Sequence, residues 1–174
     1  TEIKTNPIAK EKLSVVGNGL IVVGHDKGGF SAEAIEKFAD GLVLISEDPL
    51  SFKGAISHAS IFLADEKIRE YLKPDYVIVI GRTTLSRSVN AFVASTPKQY
   101  VIDSRIKRVD TNRSATQLFE NLPELDIANI AESYRRDFET AANNSDIQLE
   151  WSEQKFSRVF AENIPNESAL FVGS

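Results

Sequence analysis

Val77-Ile78-Val79-Ile80-Gly81-Arg82-Thr83-Thr84-Leu85-Ser86-Arg87-Ser88 decides the fold. Four consecutive β-branched residues suit a strand buried on both faces of a parallel sheet, where a continuous apolar run replaces alternation. Gly81 lets the backbone leave that strand sharply. Ser86 is placed to cap a helix over Arg87–Ser95, with Val89, Phe92 and Val93 at helical spacing. The first-turn amides of such a helix have no intrahelical partner. With Arg82 and Arg87 beside them, they form a candidate site for a carboxylate or a phosphate.

The same strand-then-helix alternation extends in both directions. Upstream, Gly19-Leu20-Ile21-Val22-Val23-Gly24 reads as a strand and Ser31 as the cap of a helix over Ala32–Asp40. Leu42–Ile45 is a second strand, and a helical pattern from Ile56 to Leu72 stops at Pro74. Downstream, Gln99–Ile102 gives another strand, and Ile106–Asp110 is either a short fifth strand or a crossing loop. This order predicts an α/β domain with an open, doubly wound, mostly parallel sheet. Residues 1–18 show little periodicity and read as a linker, residues 19–123 as the central domain, and residues 124–174 as a helical connector. The connector is expected to hold two amphipathic helices, Asp126–Asn143 and Trp151–Glu162, and then Ala169–Ser174, a strand cut short. With no methionine at all, the chain is expected to be a piece of a longer protein.

Composition narrows the function classes. At 174 residues, 42% hydrophobic and 26% charged, the chain suits one globular domain with an appendage. No apolar run approaches the roughly 20 residues that span a bilayer, and no signal-peptide core is visible, so a cytoplasmic location is expected. Without cysteine there are no disulfides or thiolate sites, and only His25 and His58 offer imidazoles, so no metal centre is expected in these residues. Net charge is −5, yet between Gly81 and Arg113 seven basic residues face two acidic ones. That window carries too few aromatics for nucleic acid, and a small acidic ligand fits it better.

Other constellations are weaker. Gly24, Gly28 and Gly29 resemble a dinucleotide turn in outline, but His25 and Asp26 occupy the tight turn and the helix begins too late. His25 stands where ligand-facing loops gather and suits either proton transfer or a hydrogen-bonded turn. His58 is placed in a loop or on a helix face. Glu47-Asp48 are adjacent carboxylates, which at a strand end point apart. Arg82 is as suited to a structural bridge with Asp103 or Glu47 as to a ligand. Arg105, Arg108 and Arg113 extend the basic rim and could hold a regulatory anion, although each alone reads as solvated charge.

Residues 69 to 89, Arg-Glu-Tyr-Leu-Lys-Pro-Asp-Tyr-Val-Ile-Val-Ile-Gly-Arg-Thr-Thr-Leu-Ser-Arg-Ser-Val, resemble the middle domain of 2-succinyl-5-enolpyruvyl-6-hydroxy-3-cyclohexene-1-carboxylate synthase, of actinobacterial type. Ser46-Glu47-Asp48-Pro49-Leu50-Ser51 is similar to that family's acid-proline-x-serine loop, and Leu170–Ser174 to the opening strand of its diphosphate-binding domain. Family members often carry proline where Thr83 and Ser88 stand. The resemblance implies a Rossmann-like middle domain of a transferase in menaquinone biosynthesis, joining decarboxylated 2-oxoglutarate to isochorismate. It implies thiamine diphosphate and Mg2+ in the full-length enzyme and neither in this piece, missing N- and C-terminal domains, a homo-oligomer, and no activity from the piece alone. By resemblance Arg87 reaches from the middle domain into the active site and holds a substrate carboxylate; Arg82 and Ser86 are candidate substrate-binding residues from the turn itself. The alternatives from the residues are a regulatory small-acid-binding module and an independent nucleotide-binding domain.

Overall fold

The computed structural model describes residues 11–105, 114–147 and 153–168. After a short strand β1 (Lys12–Val16) come five strands in one parallel sheet: β2 (Gly19–Val23), β3 (Val43–Ser46), β4 (Tyr76–Ile80), β5 (Lys98–Ile102) and β6 (Gln117–Phe119). Their spatial order is β3-β2-β4-β5-β6, so the chain winds one way from β2 and then the other way from β4. Every residue of β2 and β4 is buried, which is why both read as unbroken apolar runs. β4 pairs with β2 through Ile78↔Ile21 and with β5 through Ile78↔Tyr100, placing the strand of the opening stretch at the centre of the sheet.

Each face of the sheet has its own core. On one face Leu20, Val22, Val77 and Val79 meet α2 (Ala59–Phe62), α4 (Arg87–Ala94) and α5 (Tyr134–Ile147) through Phe62, Phe92 and Phe138. On the other, Ile21, Val23, Ile78 and Ile80 meet Ile35 of α1 (Ala32–Phe38) and Leu13 and Val15 of β1. β1 pairs in parallel with β7 (Glu124–Ala128), from Lys12↔Glu124 to Val16↔Ala128. The architecture is an open, doubly wound, Rossmann-like α/β fold.

The local differences from the sequence pattern have physical causes. The helical stretch from Ile56 to Leu72 is two helices, α2 and α3 (Glu66–Tyr71). Asp65 starts the second by accepting from the Lys67 amide at 2.8 Å, while Arg69 donates to the Leu63 and Ala64 carbonyls at the end of the first. The expected helix from Asp126 begins instead at Tyr134, because residues 124–128 extend to pair with β1. β1 itself falls within the expected linker. The second helix of the C-terminal stretch is α6 (Glu153–Asn163), which leaves Phe156 and Phe160 exposed. Ile106–Asp110 and Ala169–Ser174 lie outside the described residues.

Candidate functional site

The carboxyl ends of β2 and β4, where the winding reverses, are where ligands enter folds of this kind. Here much of that crevice is filled by the chain itself. A Cβ on Gly24 would lie 1.4 Å from the Arg82 carbonyl oxygen, and one on Gly81 would lie 2.4 Å from the Asp26 carbonyl oxygen. Gly81 has φ +74°, a backbone that only glycine adopts without strain. The glycines that resemble a dinucleotide turn in outline thus bring two loops of the chain together, and Gly28 further accepts from the Ser104 amide at 2.9 Å.

The turn after β4 is held on several sides. His25 Nδ1 lies 2.8 Å from the Thr83 carbonyl, which can only accept, so Nδ1 carries the proton. Glu47, at the end of β3, accepts from the Leu85 amide at 2.7 Å. Thr84 is buried and exchanges hydrogen bonds with Asn90: its hydroxyl donates to Asn90 Oδ1 at 2.9 Å, and Asn90 Nδ2 donates to the Thr84 carbonyl at 2.8 Å. Ser86 caps α4 by accepting from the Val89 amide at 3.3 Å, as its position before the apolar-periodic residues predicts. Ser88 donates to the Ser60 carbonyl at 2.7 Å and joins α4 to α2.

The arginines separate into distinct roles. Arg87 is the first residue of α4 and is exposed, with no ion pair among the described residues. Arg82 approaches Asp26 at 3.9 Å, rather than Asp103 or Glu47, and its side chain is 48% exposed. Arg105 is partly exposed, but it is ion-paired and not a free rim cation. It donates to Asp26 at 2.7 Å and to both oxygens of Asp103 at 3.0 and 3.2 Å, tying the end of β5 to the loop after β2. Asp103 and then Asp26 raise its pKa further above the ordinary guanidinium range. Partial burial works against the charge of Asp26, but the Gly28 amide and Arg105 outweigh it and hold the carboxyl below its usual value. Arg108 and Arg113 lie outside the described residues.

Two hollows flank the turn. A cleft of about 500 Å³ lies between the His25–Lys27 loop, Ser46–Asp48, Phe52 and Leu85. A recess of about 90 Å³ is lined by Glu47, His58, Ser60, Thr84 and Ser86. His58 adopts a left-handed φ of 59° ahead of α2, with Nδ1 3.0 Å from the Ser57 hydroxyl. The carboxylates of Glu47 and Asp48 part, one to the Leu85 amide and the other to the Ser51 hydroxyl.

The fold and this turn define a doubly wound α/β domain that presents Arg87, a guanidinium with no ion pair among the described residues, beyond the carboxyl end of its central strand. No protein-family model matches the chain, and no curated protein matches it.

Proposed function

We infer that this chain is the central, substrate-orienting domain of a thiamine-diphosphate-dependent synthase that joins decarboxylated 2-oxoglutarate to isochorismate in menaquinone biosynthesis. The resemblance of residues 69–89 and 46–51 suggests the family. The observation that carries the role is Arg87: an exposed guanidinium without a carboxylate partner among the described residues, on a turn held by its neighbours. Its planar donors can grip a carboxylate with two parallel hydrogen bonds, and both acids offer carboxylates. Arg82 is half engaged with Asp26 and contributes positive charge rather than a second grip. Ser86 acts through the helix it caps.

Thiamine diphosphate, held with Mg2+ by other parts of the full-length enzyme, supplies the decarboxylation and the carbon–carbon bond formation. Among the described residues no cluster of three or more metal-ligating side chains occurs, and the glycine loop is occupied by backbone contacts; the assignment of both groups to other parts of the enzyme rests on the resemblance. The chain's own task is to orient: Arg87 fixes one end of an acid while the reacting end meets groups from neighbouring domains. The missing N- and C-terminal domains and a homo-oligomer of the whole belong to this proposal, as does a cytoplasmic setting. Among the described residues no helix is long and apolar enough to cross a membrane.

Arg87→Ala in the full-length enzyme tests the role. The expected outcome is a rise of roughly tenfold in KM for one of the two acids, with a smaller change in turnover, as loss of a binding contact predicts. Unchanged Michaelis constants for both acids, with unchanged turnover, defeat the proposal.

A further inference from the structure

The turn that carries Arg87 is gripped by two ionisable side chains through its backbone. His25 donates from Nδ1 to the Thr83 carbonyl at 2.8 Å, and Glu47 accepts from the Leu85 amide at 2.7 Å. These contacts bracket Thr84, and the cap Ser86 and then Arg87 follow within two residues of Leu85. Glu47 follows directly on β3, 38 residues from Leu85 in sequence, and His25 lies on the loop after β2, 58 residues from Thr83. A carboxylate beside a turn that bears two arginines would ordinarily pair with one of them. Glu47 pairs with neither among the described residues and uses a backbone amide instead, leaving Arg87 available.

We propose that His25 and Glu47 are positioning residues for Arg87: together they fix the path of the Arg82–Ser86 turn and thereby the direction in which the guanidinium is presented. Neither side chain bonds within the sheet. The turn keeps its course from Gly81, from the Gly24 approach to the Arg82 carbonyl, and from the Thr84–Asn90 exchange. Glu47 and His25 add the last constraint, at two points next to the residue that has to aim. A bond from an amide to an ionised carboxylate is about twice as strong as a neutral one, and a misplacement of about 1 Å at a gripping group can cost up to a hundredfold in rate. The functional half of this proposal rests on Arg87 gripping a substrate carboxylate; the clamp itself does not.

Two measurements separate these halves. In the 174-residue chain, hydrogen exchange at the Leu85 amide is expected to be slow in the wild type and in Glu47→Gln, which keeps an acceptor oxygen, and at least about tenfold faster in Glu47→Ala. Equal exchange in all three overturns the clamp, whatever the kinetics show. In the full-length enzyme, Glu47→Ala is expected to raise KM for the acid that Arg87 holds by roughly tenfold, Glu47→Gln to restore it to within about twofold, and Glu47→Ala to add nothing in an Arg87→Ala background. If Arg87→Ala is active at wild-type KM, the functional reading fails while the exchange result stands. If Arg87→Ala is impaired but Glu47→Ala is not, or if the two losses multiply, the positioning role is overturned. Should Glu47→Ala fold poorly, His25→Ala against His25→Asn, whose amide nitrogen keeps a donor for the Thr83 carbonyl, repeats the kinetic cycle with the same expectations.

Discussion

Single residues at the centre of the sheet show how little freedom this packing leaves. Tyr76 is fully buried, its ring lies against Gly19, and its hydroxyl has no hydrogen-bond partner among the described residues. Burial first, and then the charge of Asp75, push the phenol up to about 12. A tyrosine pKa raised in the folded state gives stability that is full below the unfolded value near 10 and is lost as pH climbs through the folded value. Tyr134, also raised mainly by burial, acts in the same direction. Tyr76→Phe removes an orphaned hydroxyl and should leave stability unchanged or raise it by about 1 kcal/mol, with less unfolding at alkaline pH. Urea midpoints at neutral and alkaline pH measure both effects, and a loss beyond about 1 kcal/mol would show that the hydroxyl is satisfied after all. Gly24→Ala points the other way: its Cβ would meet the Arg82 carbonyl backbone, so a cost of about 3 kcal/mol is expected in the same assay.

Among the elements, legibility in the sequence follows the reach of the forces that shape them. β2, β4 and the Ser86-capped α4 are plain because each is specified by its own residues: an unbroken apolar run, a glycine exit, a capping hydroxyl. β1 and β7 are not. β1 buries Leu13 and Val15, β7 covers Leu125 and Ile127 only in part, and the paired residues are more than 100 positions apart, so local periodicity has almost nothing to register. The candidate site divides in the same way. Arg87 and Ser86 are readable from spacing, whereas the engagement of Arg105 depends on Asp26, 79 residues away, and on a buried Asp103. That crosslink joins the ends of β2 and β5 and is itself testable. Arg105→Ala should leave Asp103 buried without its main partner and cost about 1–3 kcal/mol at neutral pH. Asp26, whose pKa is depressed, contributes stability above its unfolded value of about 3.9 that is lost as pH falls through its folded value. The difference between wild type and Arg105→Ala should therefore shrink on acidification below about pH 4, and a gap that widens there would contradict the crosslink.

At the scale of the whole molecule, the decisive element is α5, which lies in the stretch that the sequence reads as a helical connector. Tyr134, Phe138 and Ala142 lie in the same core as Phe62 and Phe92, and the Phe138 ring meets Phe62, Phe92 and Tyr134 edge-on at 6.1, 6.2 and 5.2 Å. The Tyr134 hydroxyl donates to the Leu72 carbonyl at 2.9 Å, and Arg135 donates to the Leu42 and Gly54 carbonyls at 2.8 Å each. α5 therefore closes one face of the sheet and ties down the start of β3 and the end of α3, while β7 completes the cover of the other face beside β1. Phe138→Ala removes a fully buried ring from the meeting point of three helices, and a cost of about 3–5 kcal/mol is expected. A domain of this size has a total stability of about 5–15 kcal/mol, so that loss leaves little margin. Urea unfolding should show a lowered midpoint with an unchanged slope if α5 unfolds together with the sheet. A two-step transition, with the sheet unfolding at its wild-type midpoint after α5 has detached, would mean that α5 is an appendage and that the sheet closes without it.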